Sequence, residues 1–431
     1  MDVDQPRNDV GTLASNRFKP FASIAYEAAN LIAEYLTDPD DTWASTDSAS
    51  WLTSPGVAVL AARSCGSAQT PQYAPVRHLQ DAISSLPSSQ DSIFCGTFGT
   101  VAAALVVQAT VEEPRLNSTV RSGVRWLSDR LDVAMRARAE GAVPVREYDS
   151  ITGLAGMGRV LLFAQTQGQS MAEPGLRSAL EMATVLLRRG EIPAWWQPPH
   201  EPSDGRPPPF GIDRISGSAL LGMAHGVAGP LAFLSVAMKA GLEVDGQREA
   251  IRDATDWILG WRDQQDRLWP VGVTGRELRD RRPNSDPHPK GHQWCVGMVG
   301  IAQALHLAGL ALHDRGTVDH GIEALATLGG LPSSEWAVNG PAICCGYAGV
   351  LQTVLVAAST TPDERLDAVA DAAAEKILER WDAEQPSRLI RARGARQPLD
   401  ATILTGMSGI GLALYDYACG PSLWSSLLLV Q

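Results

Sequence analysis

Positive charge and long apolar runs are both scarce in this 431-residue sequence. Lysine and arginine total 36 against 48 aspartate and glutamate, a formal charge of -12, so the composition excludes an overall attraction to nucleic acid or anionic lipid. The longest apolar stretch, near residues 101–107, is far shorter than the roughly 20 residues of a membrane span. The first residues lack a secretory signal pattern. We therefore expect a cytoplasmic protein with no transmembrane segment and no nucleic-acid partner.

Cysteine is also rare, with six in the chain, two of them adjacent at Cys344 and Cys345. So few cysteines in so long a chain exclude a disulfide-stabilised scaffold and fit metal binding or catalysis better. Apolar residues make up 45% of the sequence and charged residues 19%, which is typical of a folded globular protein. No domain boundary stands out, so we expect one domain over residues 1–431.

Glycine, by contrast, is abundant and recurs in a repeated motif. The pattern Gly-x-x-Gly followed by a small and apolar run occurs six times, and a degenerate seventh copy surrounds Gly56. The six copies begin at Gly96, Gly153, Gly226, Gly297, Gly346 and Gly406. A single such motif would carry little information, but six that each open an apolar run indicate a repeat architecture.

The segments between the motifs have a different character from those after them. They place apolar residues at three-and-four spacing, as at Ile24, Ala28, Leu31 and Tyr35, and the same spacing recurs at two further sets. Those sets are Val120, Val124, Leu127 and Leu131, and Leu366, Val369, Ala373 and Ile377. The runs after the glycines are apolar on all sides, which suits enclosed helices. We predict an all-α fold, an (α/α)7 toroid of seven inner and seven outer helices, with long loops at 190–221, 261–294 and 385–405.

The residues just before each glycine motif form a natural shortlist for a site. If all inner helices begin at the same end of the ring, these residues gather around one axial opening. They include Tyr148-Asp149, His225, Trp294-Cys295 and Cys344-Cys345. Three cysteines without a fourth protein ligand match a catalytic zinc site, which keeps its fourth position open.

The sequence blocks around these residues resemble the LanC family of lanthionine synthetases, as free-standing cyclases. The blocks are YDSITGLAG at 148–156, GMAHGVAG at 222–229, WCVG at 294–297 and CCG at 344–346, with IPAWW at 192–196 and GMSGIGLAL at 406–414. The resemblance covers nearly the whole chain in the right order. It implies a zinc-dependent α-toroid that adds a cysteine thiol of a dehydrated precursor peptide across dehydroalanine or dehydrobutyrine.

The resemblance also implies roles for individual residues. Cys295, Cys344 and Cys345 fall on the positions of the zinc ligands, while Asp149 and His225 fall on the acid/base positions. His225 would deliver the proton to the α-carbon, since histidine titrates near neutrality. Asp149 would orient the His225 ring or help to remove the proton of the thiol. The family further implies an upstream lanthipeptide dehydratase and an exporter as partners.

The chain departs from the family pattern at three positions. Many relatives have Cys-His-Gly where this chain has Cys344-Cys345-Gly346, which would give three thiolate ligands instead of two thiolates and an imidazole. Val296 and Gly291 replace a tyrosine and an arginine that are frequent in the family. We expect Lys290 and His292 as nearby substitutes.

A contribution to substrate binding is also expected from Trp294 and from Arg276. Arg276 opens a basic run that leads toward Cys295 and could hold acidic parts of a peptide.

Three other functions remain open from the sequence. A LanC-like relative could join glutathione to dehydroamino residues, a zinc protein prenyltransferase also uses an α-toroid and an activated thiol, and a non-catalytic scaffold could use structural zinc. An α-toroid glycosidase is disfavoured because no pair of carboxylates stands at the predicted helix starts. Cys65, Cys95 and Cys419 are expected to be packing residues.

Overall fold

The structure is a computed structural model, and several segments lie outside the part it describes. It describes residues 19–37, 50–65, 70, 72–84, 91–136, 143–199, 213, 215–263, 267–281, 291–382 and 400–431, with the backbone alone at 50–54 and 84. Lys290 and most of the predicted loop 385–405 are outside these ranges.

Seven buried helices form a closed inner ring. They are α2 (Ser50–Ser64), α4 (Gly96–Val111), α7 (Leu154–Thr166), α9 (Ala228–Lys239), α12 (Met298–Leu312), α14 (Tyr347–Thr360) and α16 (Met407–Cys419). Each packs against the next in this order, and α16 returns to pack against α2. The closed ring confirms the predicted toroid and explains why these helices are apolar on every side.

Seven amphipathic helices surround this ring. They are α1 (Ala22–Thr37), α3 (Ala74–Ser84), α5 (Asn117–Arg136), α8 (Glu173–Leu187), α10 (Gln247–Gly260), α13 (Arg315–Ala326) and α15 (Glu364–Leu378). The predicted apolar faces of α5 and α15 are fully buried. The face predicted for α1 is only partly right: Ala28 is buried as predicted, but Ile24 is 50% exposed, and Ala25, Ala29 and Ile32 complete the buried face. Small alanines make up most of the buried face of α1, which suits its close contact with α16.

Short elements occupy two of the predicted long loops. Strands β1 (Trp196–Gln197), β2 (Ser218–Leu220) and β3 (Gly272–Thr274) form an antiparallel sheet in that order. Helices α6 (Val145–Tyr148) and α11 (Gly275–Asp280) are single turns. Because β2 runs directly into the segment before α9, the sheet lies next to the start of that inner helix.

The second glycine of each motif allows the chain to pass close to the start of its own helix. A Cβ at Gly300 would overlap the carbonyl oxygen of Trp294, and a Cβ at Gly349 would overlap that of Ile343. Only glycine fits such an approach. The degenerate copy differs, since α2 begins at Ser50 and Gly56 lies inside the helix.

Residues 421–431, which we call the axial segment, follow α16 and enter the interior of the ring. Its 3₁₀ turn, Leu423–Leu428, packs against α4 and α7, and residues 424–430 are buried. None of the described helices has the length and apolar character needed to cross a bilayer.

Candidate active site

Backbone hydrogen bonds join the starts of successive inner helices into a belt. The Ser150 amide donates to the Ala224 carbonyl (3.0 Å), the Ala224 amide to the Cys295 carbonyl (2.8 Å), and the Cys295 amide to the Cys344 carbonyl (3.3 Å). The Cys344 amide continues the belt to the Leu404 carbonyl (2.8 Å). The residues before α7, α9, α12, α14 and α16 therefore lie side by side at one end of the ring.

Two adjacent places in this belt bring three cysteine sulfurs together. The Sγ atoms of Cys295 and Cys345 are 3.3 Å apart, and those of Cys345 and Cys344 are 3.5 Å apart. All three Sγ atoms lie within 4.8 Å of one another, and none is in a disulfide. Cys295 is buried, whereas Cys344 and Cys345 are half-buried.

The three thiols influence each other's ionisation. Hydrogen bonding with Cys295 and Cys344 lowers the pKa of the Cys345 thiol. The hydrogen bonds with Cys344 and Cys345, together with burial, raise the pKa of the Cys295 thiol.

The donor set fits a metal ion. Three sulfurs converge from two neighbouring helix starts, and no fourth protein ligand joins them among the described residues. Soft thiolates favour Zn²⁺ over the hard cations Mg²⁺ and Ca²⁺, and three protein ligands leave a tetrahedral ion one further position. The cluster can therefore hold a metal ion and one additional ligand.

A histidine–carboxylate pair stands beside the cysteines in the belt. Nδ1 of His225 is 2.7 Å from Oδ2 of Asp149. The Asp149 carboxylate is buried, while a quarter of the His225 side chain is exposed. His225 follows Ala224, whose amide binds the Cys295 carbonyl. The pair and the sulfur cluster thus occupy adjacent helix starts.

The other carboxylate oxygen of Asp149 is fixed by the start of α7. Oδ1 accepts hydrogen bonds from the amides of Ile151 (3.1 Å), Thr152 (2.7 Å) and Gly153 (2.9 Å). These amides belong to a turn at the positive end of the helix. Asp149 therefore both fixes the turn that leads into α7 and orients the His225 ring.

Tyr148 holds the backbone of the same histidine. Its hydroxyl donates to the His225 carbonyl at 3.3 Å. The side chain is completely buried, and this burial raises the pKa of the phenol. Tyr148 thus remains a neutral donor, and the Tyr148-Asp149 pair contacts His225 through both its backbone and its ring.

The four residues expected to bind substrate lie in different environments. His292 is buried, and its Nδ1 accepts a hydrogen bond from the Ala337 amide (2.9 Å). Trp294 is only 1% exposed. Arg276 is an exposed residue of α11, and Lys290 lies outside the described residues.

The polar residues of the ring interior were missed by the sequence analysis. Arg159, Gln303 and Asp416 each interrupt an apolar inner helix, and all three bind the axial segment. A lone polar residue within an enclosed helix must find a buried partner, and that rule could have identified them.

The comparison with known families agrees with this architecture. The sequence model of the family "Lanthionine synthetase C-like protein" matches residues 54–429. The chain belongs to this LanC-like family. No curated protein matches the chain by sequence.

The chain also has a similar solved structure at low sequence identity. "Nisin cyclase" aligns with a TM-score of 0.73 and 18% identity, covering 95% of this chain and 98% of that one. "Polysaccharide Lyase BACCELL_00875" aligns at a TM-score of 0.39 and 12% identity, over 83% of this chain and 99% of that one. The first match establishes a shared toroidal fold, and the second is too weak to inform the comparison.

Gly291 and Val296 are the two other positions at which this LanC-like chain departs from the family pattern, and both lie just before the start of α12. The Gly291 carbonyl accepts a hydrogen bond from the Met298 amide (2.8 Å), at the start of α12. Val296 is half-buried and packs against the core. Neither residue offers a polar side chain to the sulfur cluster.

Proposed function

We propose that this protein is a zinc-dependent lanthionine synthetase. It would add cysteine thiols of a dehydrated precursor peptide to dehydroalanine or dehydrobutyrine and so form lanthionine or methyllanthionine rings. The observation that carries the proposal is the placement of three convergent sulfurs beside a histidine–carboxylate pair, joined by the hydrogen bond from Ala224 to Cys295. Membership of the LanC-like family supports it.

Cys295, Cys344 and Cys345 would hold the zinc ion. A thiol has a pKa of about 8.5 and is only slightly ionised at neutral pH, whereas zinc coordination keeps a bound thiol as thiolate. Because the three cysteines leave one position for a further ligand, the peptide's own thiol can reach it. The half-buried Cys344 and Cys345 lie on the more accessible side of the cluster.

The reaction requires one proton to leave and one to arrive. The thiol loses its proton, the sulfur forms a bond to the β-carbon, the carbon–carbon double bond opens, and the α-carbon takes up a proton. With Nδ1 of His225 held by Asp149, proton exchange with substrate involves Nε2 of the same ring. Asp149 stabilises the ring while it carries the additional proton, and Tyr148 fixes its backbone.

The substrate would be a peptide that has already lost water from serine or threonine. A lanthipeptide dehydratase must therefore act earlier, and an exporter would remove the product from the cytoplasm. Because the chain's own net charge is -12, acidic parts of the peptide would need local positive charge, which the exposed Arg276 would supply.

Thiol counting on a dehydrated peptide tests the proposal. Cyclisation leaves the peptide mass unchanged, so a thiol-alkylating reagent must report the loss of free cysteines by mass spectrometry. We expect wild type to protect the peptide from alkylation, and His225→Asn to slow this by about 100-fold or more while retaining zinc. Asparagine keeps a donor toward Asp149 but has no nitrogen equivalent to Nε2.

Two outcomes would contradict the proposal. If added glutathione appears as a mass increment on the peptide while its cysteines remain free, the protein joins glutathione to dehydroamino residues. If His225→Asn matches wild type at equal zinc content, the histidine–carboxylate pair has no part in the reaction.

A further inference from the structure

The axial segment is anchored to the inner ring by buried polar groups. Arg159 of α7 donates to the Gln431 carbonyl (3.1 Å), and Gln303 of α12 donates to the Val430 carbonyl (2.5 Å). Both side chains are at least nine-tenths buried. Burial lowers the pKa of Arg159 to about 10, which still leaves the guanidinium charged at neutral pH.

A second anchor lies at the beginning of the segment. The buried carboxylate of Asp416 accepts hydrogen bonds from the Ser422 hydroxyl (2.7 Å), the Ser422 amide (3.1 Å) and the Trp424 indole (2.9 Å). Gln352 of α14 donates to the same carboxylate (3.0 Å). The segment is therefore bonded to several helices of the ring and is an integral part of its interior.

Trp294 connects this segment to the sulfur cluster. Its indole N–H donates to the Leu428 carbonyl at 3.2 Å, a contact between residues 134 positions apart. Trp294 directly precedes Cys295. A Cβ built on Gly349, near the start of α14, would lie 3.2 Å from the Cβ of Trp294. The tryptophan thus contacts the axial segment and packs close to both helix starts that carry the cysteines.

We propose that Trp294 is a positioning residue for Cys295. Its hydrogen bond to the axial segment fixes the backbone before Cys295, and so keeps the Cys295 sulfur at its distance from Cys344 and Cys345. The inference rests on the proposed function only in assuming that the three sulfurs bind a metal. The axial segment then acts as the rigid support of the site.

The test compares Trp294→Phe with wild type in two measurements. Phenylalanine keeps most of the packing but removes the N–H. In a chelator competition we expect the affinity for zinc to fall about tenfold or more, as it does when groups that orient metal ligands are lost. In the metal-free protein we expect Cys295 to be alkylated faster, because its backbone is less restrained.

Trp269→Phe is the matched control. Trp269 is fully buried, and its indole N–H also donates to a backbone carbonyl, that of Ile258 (2.9 Å), on outer helix α10. The control loses the same kind of hydrogen bond away from the axial segment. We expect its zinc affinity and its Cys295 alkylation rate to equal those of wild type.

Gln303→Met provides a second, independent variant. It releases Val430 from α12 without altering any neighbour of Cys295 along the chain. If the axial segment supports the site, this variant also weakens zinc binding and exposes Cys295, whereas a purely local packing role for Trp294 predicts no change. Wild-type values in both variants, each folded by circular dichroism, would overturn the inference.

The two proposals fail in different ways. If wild type binds no zinc, the proposed function is wrong, and the alkylation of Cys295 still decides whether Trp294 positions it. If wild type binds zinc and cyclises peptide but Trp294→Phe behaves like Trp269→Phe, only the positioning role is wrong.

Discussion

Asp149 holds His225 with one carboxylate oxygen and the start of helix α7 with the other. Oδ2 lies 2.7 Å from Nδ1 of the His225 ring, and Oδ1 accepts three backbone amides. A carboxylate fixed in this way cannot rotate without breaking these hydrogen bonds. The ring it holds is therefore oriented before any substrate binds, as general acid–base catalysis requires.

Asp149→Asn should separate the two roles of this residue. The amide oxygen can still accept the three backbone amides, but the amide nitrogen can only donate toward His225. The ring would then adopt the opposite tautomer and place its proton on Nε2. We expect single-turnover cyclisation to slow by about 100-fold or more, with little loss of stability, as measured by thiol alkylation and thermal unfolding.

Asp400→Asn is the control for this substitution. Asp400 precedes α16, and its Oδ1 accepts hydrogen bonds from the amide (2.9 Å) and the hydroxyl (2.7 Å) of Thr402, in a similar turn before an inner helix. No histidine ring is bonded to it among the described contacts. A rate loss in Asp400→Asn as large as that in Asp149→Asn would show that support of the turn before the helix, and not the orientation of His225, is responsible.

Cys345→His tests the consequence of a third thiolate. Exchanging an anionic ligand for a neutral imidazole reduces the negative charge on the bound metal. We expect zinc to remain bound but a less nucleophilic substrate thiolate, and so slower single-turnover cyclisation at equal zinc content. The rate should be measured beside the zinc content of each preparation. An unchanged rate would contradict this account of the ligand charge.

Gly349→Ala should destabilise the protein by displacing the backbone next to the site. A Cβ at this position would overlap the Ile343 carbonyl, immediately before Cys344. Because backbone cannot move aside as a side chain can, we expect the free energy of unfolding to fall by about 1–3 kcal/mol or more. Gly260→Ala, where a Cβ meets nothing within 4 Å, should leave denaturant unfolding nearly unchanged. Equal effects of the two variants would contradict the close approach.

His306 predicts a loss of stability in mild acid. Burial, with a smaller effect of Lys239, lowers its pKa from 6.5 to about 4. The unfolded chain therefore takes up a proton as the pH falls below 6.5, whereas the folded chain does so only near pH 4. Lowering the pH from 7 to 5 should therefore decrease the free energy of unfolding by about 2 kcal/mol through this histidine, by linkage.

His306→Gln is the variant that isolates this contribution. The ring of His306 contacts Gln303 (3.3 Å) and Thr361 (2.9 Å), and an amide can replace both contacts. Denaturant unfolding at pH 7 and pH 5 should show a smaller decrease for the variant than for wild type. Identical decreases would mean that His306 is not the group that titrates.

The repeat made the ring and its helix starts predictable from sequence. Each glycine motif marks a position where only glycine fits, so the residues before it could be placed at a common end. The sulfur cluster follows from that placement alone. The three short strands were not predicted, because a strand of two or three residues is too short to show the alternation of apolar and polar residues.

Contacts between distant parts of the chain could not be predicted from the sequence either. Nothing near Leu428 indicates that its carbonyl receives the Trp294 indole, and an exposed tryptophan at that position would look the same in sequence. Arg159, Gln303 and Asp416 were visible as polar interruptions of apolar helices. Their common partner, the axial segment, became evident only from the structure.

X-ray absorption at the zinc edge tests the central claim most directly. The account predicts one zinc ion per chain with three sulfur ligands at about 2.3 Å and one nitrogen or oxygen ligand. Adding a dehydrated peptide should raise the number of sulfur ligands to four. Four sulfurs before peptide is added, fewer than three, or no retained zinc would contradict a three-thiolate site with an open position.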